Sequence, residues 1–118
     1  MVYVDGYLLL VPKKKIRAYA ALARKAGRIW KDHGALEYRE CVGDDLAVPC
    51  GESFPKRLRA KPSEAVVFSW VVYKSRAHRD RANEAIMKDP RMVALCTAGM
   101  PFDMNKMSHG GFELLVDM

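Results

Sequence analysis

His78 is the residue whose setting best suits acid–base chemistry. It falls three residues into a helix expected from Arg76 to Lys88, on a face shared with Ala82, Ala85 and Ile86. An apolar helix face must turn toward the rest of the fold, and it carries the imidazole with it. Burial and a helix N-terminus both favour the neutral ring. A neutral imidazole can take a proton or donate a hydrogen bond to a bound carbonyl. The structural alternative is a histidine bonded to a strand or loop backbone group. Asp5 and Glu37 are acids inside expected strands. A carboxylate on a sheet face covered by helices is costly unless it is paired or used. Arg79 or Arg76 would pair Asp5, and Glu37 on an edge strand would face water. His78 and Asp5 are therefore the two candidate catalytic residues.

Around them stand residues fit to line a pocket. Arg79 and Asn83 lie one helical turn apart and can point together at an anionic group. Trp30 and Trp70 are large flat bodies with one polar handle each, suited to the core or to the walls of a pocket between helices and sheet. With Glu37 they complete the candidate set. No Ser-His-Asp order, glycine-rich phosphate loop or two-histidine metal spacing is present. Cys41, Cys50 and Cys96 form no CxxC pair and are expected to be reduced thiols. No metal or cofactor is implied.

The elements that must position these residues follow from the apolar pattern. A first strand is expected from Val2 to Val11, stopped by Pro12, which has no N–H to give. A helix follows to Asp32, with Ile16, Tyr19, Ala20, Ala23, Gly27 and Trp30 on one face, and Gly34 ends it. A mixed strand from Ala35 to Val42 precedes an irregular stretch over residues 44 to 63. The segment VVFSWVVY, Val66 to Tyr73, is the most apolar strand. Ser75 caps the helix that holds His78, Asp89-Pro90 closes it, and a helical turn is expected at Arg91 to Leu95. GGFELLV, Gly110 to Val116, is the last strand, with its start expected a few residues earlier. The order is β-α-β-β-α-β, the split βαβ arrangement of ferredoxin-like α+β domains with a four-stranded antiparallel sheet, spanning residues 1–118 as one domain.

Both alternating sets of VVFSWVVY are apolar: Val66, Phe68, Trp70, Val72 and Val67, Ser69, Val71, Tyr73. A strand with one wet face would alternate apolar and polar residues. This strand expects cover on both faces, and 118 residues are too few for a second layer of helices. A second copy of the chain is the expected cover, and the pattern leaves open which set meets it.

Composition narrows the partners. No apolar run approaches the roughly 18 residues of a membrane span. The start, MVYVDGYLLLVPKKK, places its positive charges after the apolar run, opposite to a signal peptide, so a cytoplasmic protein is expected. The net charge of +6 and the cluster Lys56, Arg57, Arg59, Lys61 raise RNA as a partner. No aromatic is interleaved with that cluster to stack bases, which argues against it.

Several longer motifs carry a resemblance across essentially the whole chain. They are YVDG at Tyr3, GALEYRECVGDD from Gly34, SFP at Ser53, VVFSWVVY followed by SR-x-HRD, DPRM at Asp89, MPFD at Met100 and GGFE at Gly110. The chain resembles the DUF1428 family, whose members resemble the dimeric α+β barrel superfamily. The resemblance implies two ferredoxin-like units packed sheet against sheet. The superfamily contains cofactor-free oxygenases, haem-degrading enzymes, small-molecule isomerases and ligand-sensing domains, so the fold alone does not set the function. The leading reading is a homodimeric small-molecule-binding protein, an oxygenase or isomerase without cofactor, whose pocket lies between sheet and helices. A non-catalytic ligand-binding or regulatory dimer and an RNA-binding protein are the alternatives, so whether the chain is an enzyme stays open at this point.

Overall fold

The computed structural model describes all 118 residues. Four strands, β1 (Tyr3–Pro12), β2 (Glu37–Val42), β3 (Glu64–Tyr73) and β4 (Ser108–Glu113), form one antiparallel sheet in the order β2-β3-β1-β4. The two most apolar strands, β1 and β3, are central, as the sequence pattern requires. Helices α1 (Ile16–Asp32) and α3 (Arg76–Lys88) pack on one face of this sheet, α4 (Pro90–Ala98) packs against both of them, and α2 (Phe54–Arg57) sits in the connection before β3.

The departures from the sequence expectation have local causes. Lys13–Lys15 form a single 3-10 turn before α1. The stretch over residues 44 to 63 contains α2, because the Ser53 hydroxyl accepts from the Lys56 N–H and Pro55 suits a first helical turn. The expected turn at Arg91 to Leu95 is the full helix α4: the Asp89-Pro90 pair that closes α3 also caps the next helix, with the Asp89 carboxylate accepting from the Arg91 N–H. β4 begins at Ser108, the earlier start that was expected, but stops at Glu113, short of Val116, because its partner strand begins at Tyr3, opposite Glu113. Gly34 follows α1 with φ +98°, the left-handed conformation that ends a helix without a Cβ penalty.

The register decides which strand face is which. Val67, Ser69, Val71 and Tyr73 are all buried on the helix side. Phe68, Trp70 and Val72 lie on the outer face, where Phe68 remains 49% exposed and Phe112 of β4 61%. On the inner face the core is divided. One cluster holds Ile29, Val71, Tyr73, Ile86 and Met92; the other holds Leu9, Val11, Tyr19, Ala23 and Val67. Between them one polar row crosses the sheet: His109 stands opposite Tyr7, Tyr7 opposite Ser69, and Ser69 opposite Glu40. The break in the core is where the cavity lies.

Candidate functional site

A cavity of about 580 Å³ separates the sheet from the helices. The polar row His109, Tyr7, Ser69, Glu40 contributes to its lining, and α1 supplies Tyr19 and Trp30. The segment after α4 closes one side with Met100, Phe102, Met104 and Met107. Unbranched thioether side chains fill irregular space and adapt to a guest. An ion pair between Lys106 and Glu64 (3.0 Å) ties this segment to the start of β3. The size and the mostly apolar lining with a few polar groups are those of a small-molecule site.

Asp5 lies one row from Tyr7 on β1 and is only 6% exposed. Arg79 of α3 approaches it, Nε to Oδ1 at 3.3 Å, without hydrogen-bonding geometry. The same guanidinium donates to the Tyr3 hydroxyl (3.1 Å) and to Asp80 (3.0 Å), and lies 4.9 Å from the centre of the Tyr3 ring. Burial raises the Asp5 pKa above the ordinary aspartate value, against the opposing pull of Arg79 and a neighbouring Asn83 amide. Asn83 is fixed in turn: the Trp30 indole donates to the Tyr73 hydroxyl (2.8 Å), which donates to Asn83 Oδ1 (3.1 Å). Tyr7 has its pKa pushed up to about 12 by burial and by the Asp5 charge, and its ring stacks on His109 at 5.5 Å.

At the other end of the row, Glu40 accepts from two phenols, Tyr19 at 2.7 Å and Tyr38 at 2.6 Å. Burial, with Glu40 adding to it, raises both tyrosines well above their ordinary range, so the protons stay on the phenols. Tyr38 lies against α1 because residue 27 is glycine; a Cβ there would stand 2.8 Å from the ring. Glu40, Tyr19 and Tyr38 also line a second, smaller cavity of about 340 Å³ with Ile16, Ala20 and Val42, and so form a partition between the two.

The structure brings Asp5, Trp30, Trp70, Arg79 and Asn83 to the large cavity. Trp70 borders it at the strand, while its indole lies on the outer face and donates to Glu37 (2.9 Å). Glu37 belongs to that outer face and also pairs with Arg39. Two hydrogen bonds hold the Glu37 carboxyl below its ordinary pKa, from Trp70 first and Arg39 second. His78 is half-buried but does not line the cavity. Its Nδ1 accepts from the Lys74 N–H (3.1 Å), and its ring meets Tyr73 edge-on. The cause is helical phase: α3 presents Arg79, Ala82, Asn83 and Ile86 inward, and Ala85 is exposed. Glu40, Tyr7, Tyr19, Tyr38, Ser69 and His109 line the cavity but were not assigned to a site from the sequence. No three His, Cys, Asp or Glu side chains come together to hold a metal ion, and no helix is long and apolar enough to cross a membrane.

Comparisons agree with this architecture. The chain is 44% identical over 119 residues to the Uncharacterized protein YbaA of Escherichia coli strain K12, covering 99% of each. Its fold is similar to SnoaB, a cofactor-independent oxygenase from Streptomyces nogalater (TM-score 0.61, 14% identity, 99% of this chain and 96% of that one). It is equally similar to Rv0793 from Mycobacterium tuberculosis (TM-score 0.61, 12% identity, 99% and 98%). A NIPSNAP domain protein from Burkholderia xenovorans shares it too (TM-score 0.56, 15% identity, 95% and 93%). At these identities the solved structures establish the ferredoxin-like α+β fold alone. Residues 2–104 match the model of a family described as Protein of unknown function (DUF1428), and the chain belongs to that family.

Proposed function

We propose that this DUF1428 protein is a cytoplasmic, homodimeric small-molecule-binding protein whose ligand occupies the large cavity and exchanges a proton with Asp5. The observation that carries the reading is Asp5 itself: a buried carboxyl on the wall of an apolar cavity, with a pKa raised by burial. A carboxylate in such a place is a stronger base than one in water, and Arg79 keeps it ionised and oriented. Loss of a ligand C–H proton to Asp5 leaves an enolate or carbanion. Return of the proton to a second carbon is an isomerisation; reaction of the carbanion with dioxygen is the cofactor-independent oxygenase course. SnoaB, of the same fold, is described as such an oxygenase.

The test begins with protein purified without stripping and analysed by native mass spectrometry for a bound organic molecule. In heavy water the wild-type protein is expected to exchange one C–H of that molecule, and Asp5→Asn to bind it without exchange. Binding without exchange in the wild type would leave the non-catalytic ligand-binding dimer as the function. No bound molecule, and none taken up from a metabolite extract, would remove the small-molecule reading.

The homodimer rests on the outer sheet face, where Phe68 and Phe112 are exposed beside Leu8, Trp70 and Val72. A contiguous apolar face of this kind marks an interface, and one copy packed on another would bury more than about 1,000 Å² in total. Light scattering at micromolar protein is expected to give about twice the 13.3 kDa chain mass. Phe68→Glu, which sets a charge in the centre of that face, is expected to return it to one chain mass.

A further inference from the structure

We infer that the cavity selects an organic cation, an aryl or alkyl ammonium, with its charge at Glu40 and its apolar body among the cavity's aromatic rings. The inference rests on the cavity being the ligand site and names the class of ligand.

Glu40 is the one carboxylate not exposed at the surface that lacks a cationic partner. Asp5 has Arg79, Glu37 has Arg39, Glu64 has Lys106, and Asp89 has His33 and Arg91, each within 4.0 Å. Glu40 has only two neutral phenols. Each uses one lone pair of one oxygen and leaves others free. No basic side chain comes within ion-pairing distance, including Arg24 on the rim of the smaller cavity. The guanidinium that does line the large cavity, Arg79, is already engaged by Asp5, Asp80 and Tyr3. His109 lies across the sheet at the opposite end of the polar row. Tyr19, Tyr38, Trp30 and Phe102 surround the same end as Glu40, with Tyr19 and Phe102 edge to face at 5.6 Å and Trp30 and Tyr38 at 6.0 Å. A carboxylate among several aromatic rings is an arrangement that recognises ammonium groups. The whole chain carries +6, so a cation gains nothing from the long-range field. Any preference for it must come from the local site.

The test uses three probes of one skeleton, phenethylamine, phenethyl alcohol and phenylacetate, titrated into the full chain and followed by backbone amide shifts. Phenethylamine is expected to bind about tenfold more tightly than the alcohol, as a charge-assisted contact requires, with the largest shifts at Tyr19, Tyr38 and Glu40. Phenylacetate is expected to be the weakest. Glu40→Gln, whose amide spectrum reports whether the fold is kept, is expected to reduce the amine to the affinity of the alcohol and leave the alcohol unchanged. Glu40→Asp is expected to keep part of the preference. Equal or tighter binding of the alcohol or the acid overturns the cation assignment and leaves the cavity reading standing. So does an amine preference that survives Glu40→Gln and vanishes in Asp5→Asn. No shift at any cavity residue with any probe overturns both.

Discussion

Replacing Arg79 with leucine is expected to destabilise the fold by about 3 kcal/mol, the scale of breaking a buried ion pair by removing one member. The loss has three parts. Asp5, with a side chain 8% exposed, is left with its charge uncompensated. The Tyr3 hydroxyl loses its donor and the Tyr3 ring loses its cation. Asp5→Asn is expected to cost far less, because Arg79 keeps Tyr3 and Asp80 and is itself 21% exposed. The asymmetry has a pH signature. The folded Asp5 pKa is raised, so the folded state holds this proton more tightly than the unfolded chain. Its contribution to stability is fully present below the unfolded value near 3.8 and is lost as pH rises through the raised folded value. Asparagine does not titrate. The stability of Asp5→Asn relative to wild type is therefore expected to improve from about pH 4 upward and then level off, as read by urea denaturation at a series of pH values. A relative stability that falls over that range would show that Asp5 is not held as a desolvated acid.

Ile86→Ala is expected to cost about 3 kcal/mol, within the range for truncating a buried isoleucine. Ile86 is fully buried from α3 against Ile29, Val71, Tyr73 and Met92. Truncation there leaves a void in the cluster that fixes α3, and with it Arg79 and Asn83, over the sheet. The urea midpoint should fall at unchanged slope, the sign that stability and not the exposed area has changed. A cost below 1 kcal/mol would mean that α3 settles into the gap, and the Arg79–Asp5 approach would then shift as well.

The strand and helix order was legible because β1, β3 and α1 each bury a long apolar set, with stop signals at Pro12 and Gly34, while α3, which buries only Ala82 and Ile86, is bracketed by Ser75 and Asp89-Pro90. The phase of α3 was not. Ala82 and Ile86 belong both to a face with His78 and to a face with Arg79 and Asn83, and periodicity cannot separate faces that share their apolar members. The sheet decides, because Arg79 is drawn toward buried Asp5. The two faces of β3 were undecidable from Val, Phe, Trp and Tyr alone, and Ser69, the one polar residue, argues for the wrong face, since it is buried under the helices. The polar row was invisible for a different reason. Its members come from four strands dispersed along the chain, and only pairing register aligns them. Glu40 reads in sequence as an ordinary acid on a mixed edge strand until Tyr19 and Tyr38 are seen to converge on it.

The two tryptophans lie on opposite sides of the sheet, each with its indole N–H committed to a different partner: Trp30 to Tyr73 beside the cavity, Trp70 to Glu37 on the outer face. The protein thus carries two indoles in separate environments, one beside the cavity and one on the outer face. On the proposed function, the emission of Trp30 is expected to follow filling of the cavity, and that of Trp70 covering of the outer face by a second copy. With phenylalanine in place of one indole at a time, the proposed occupancy and association are expected to become separable signals in a single cuvette, one saturating with added ligand and the other with protein concentration.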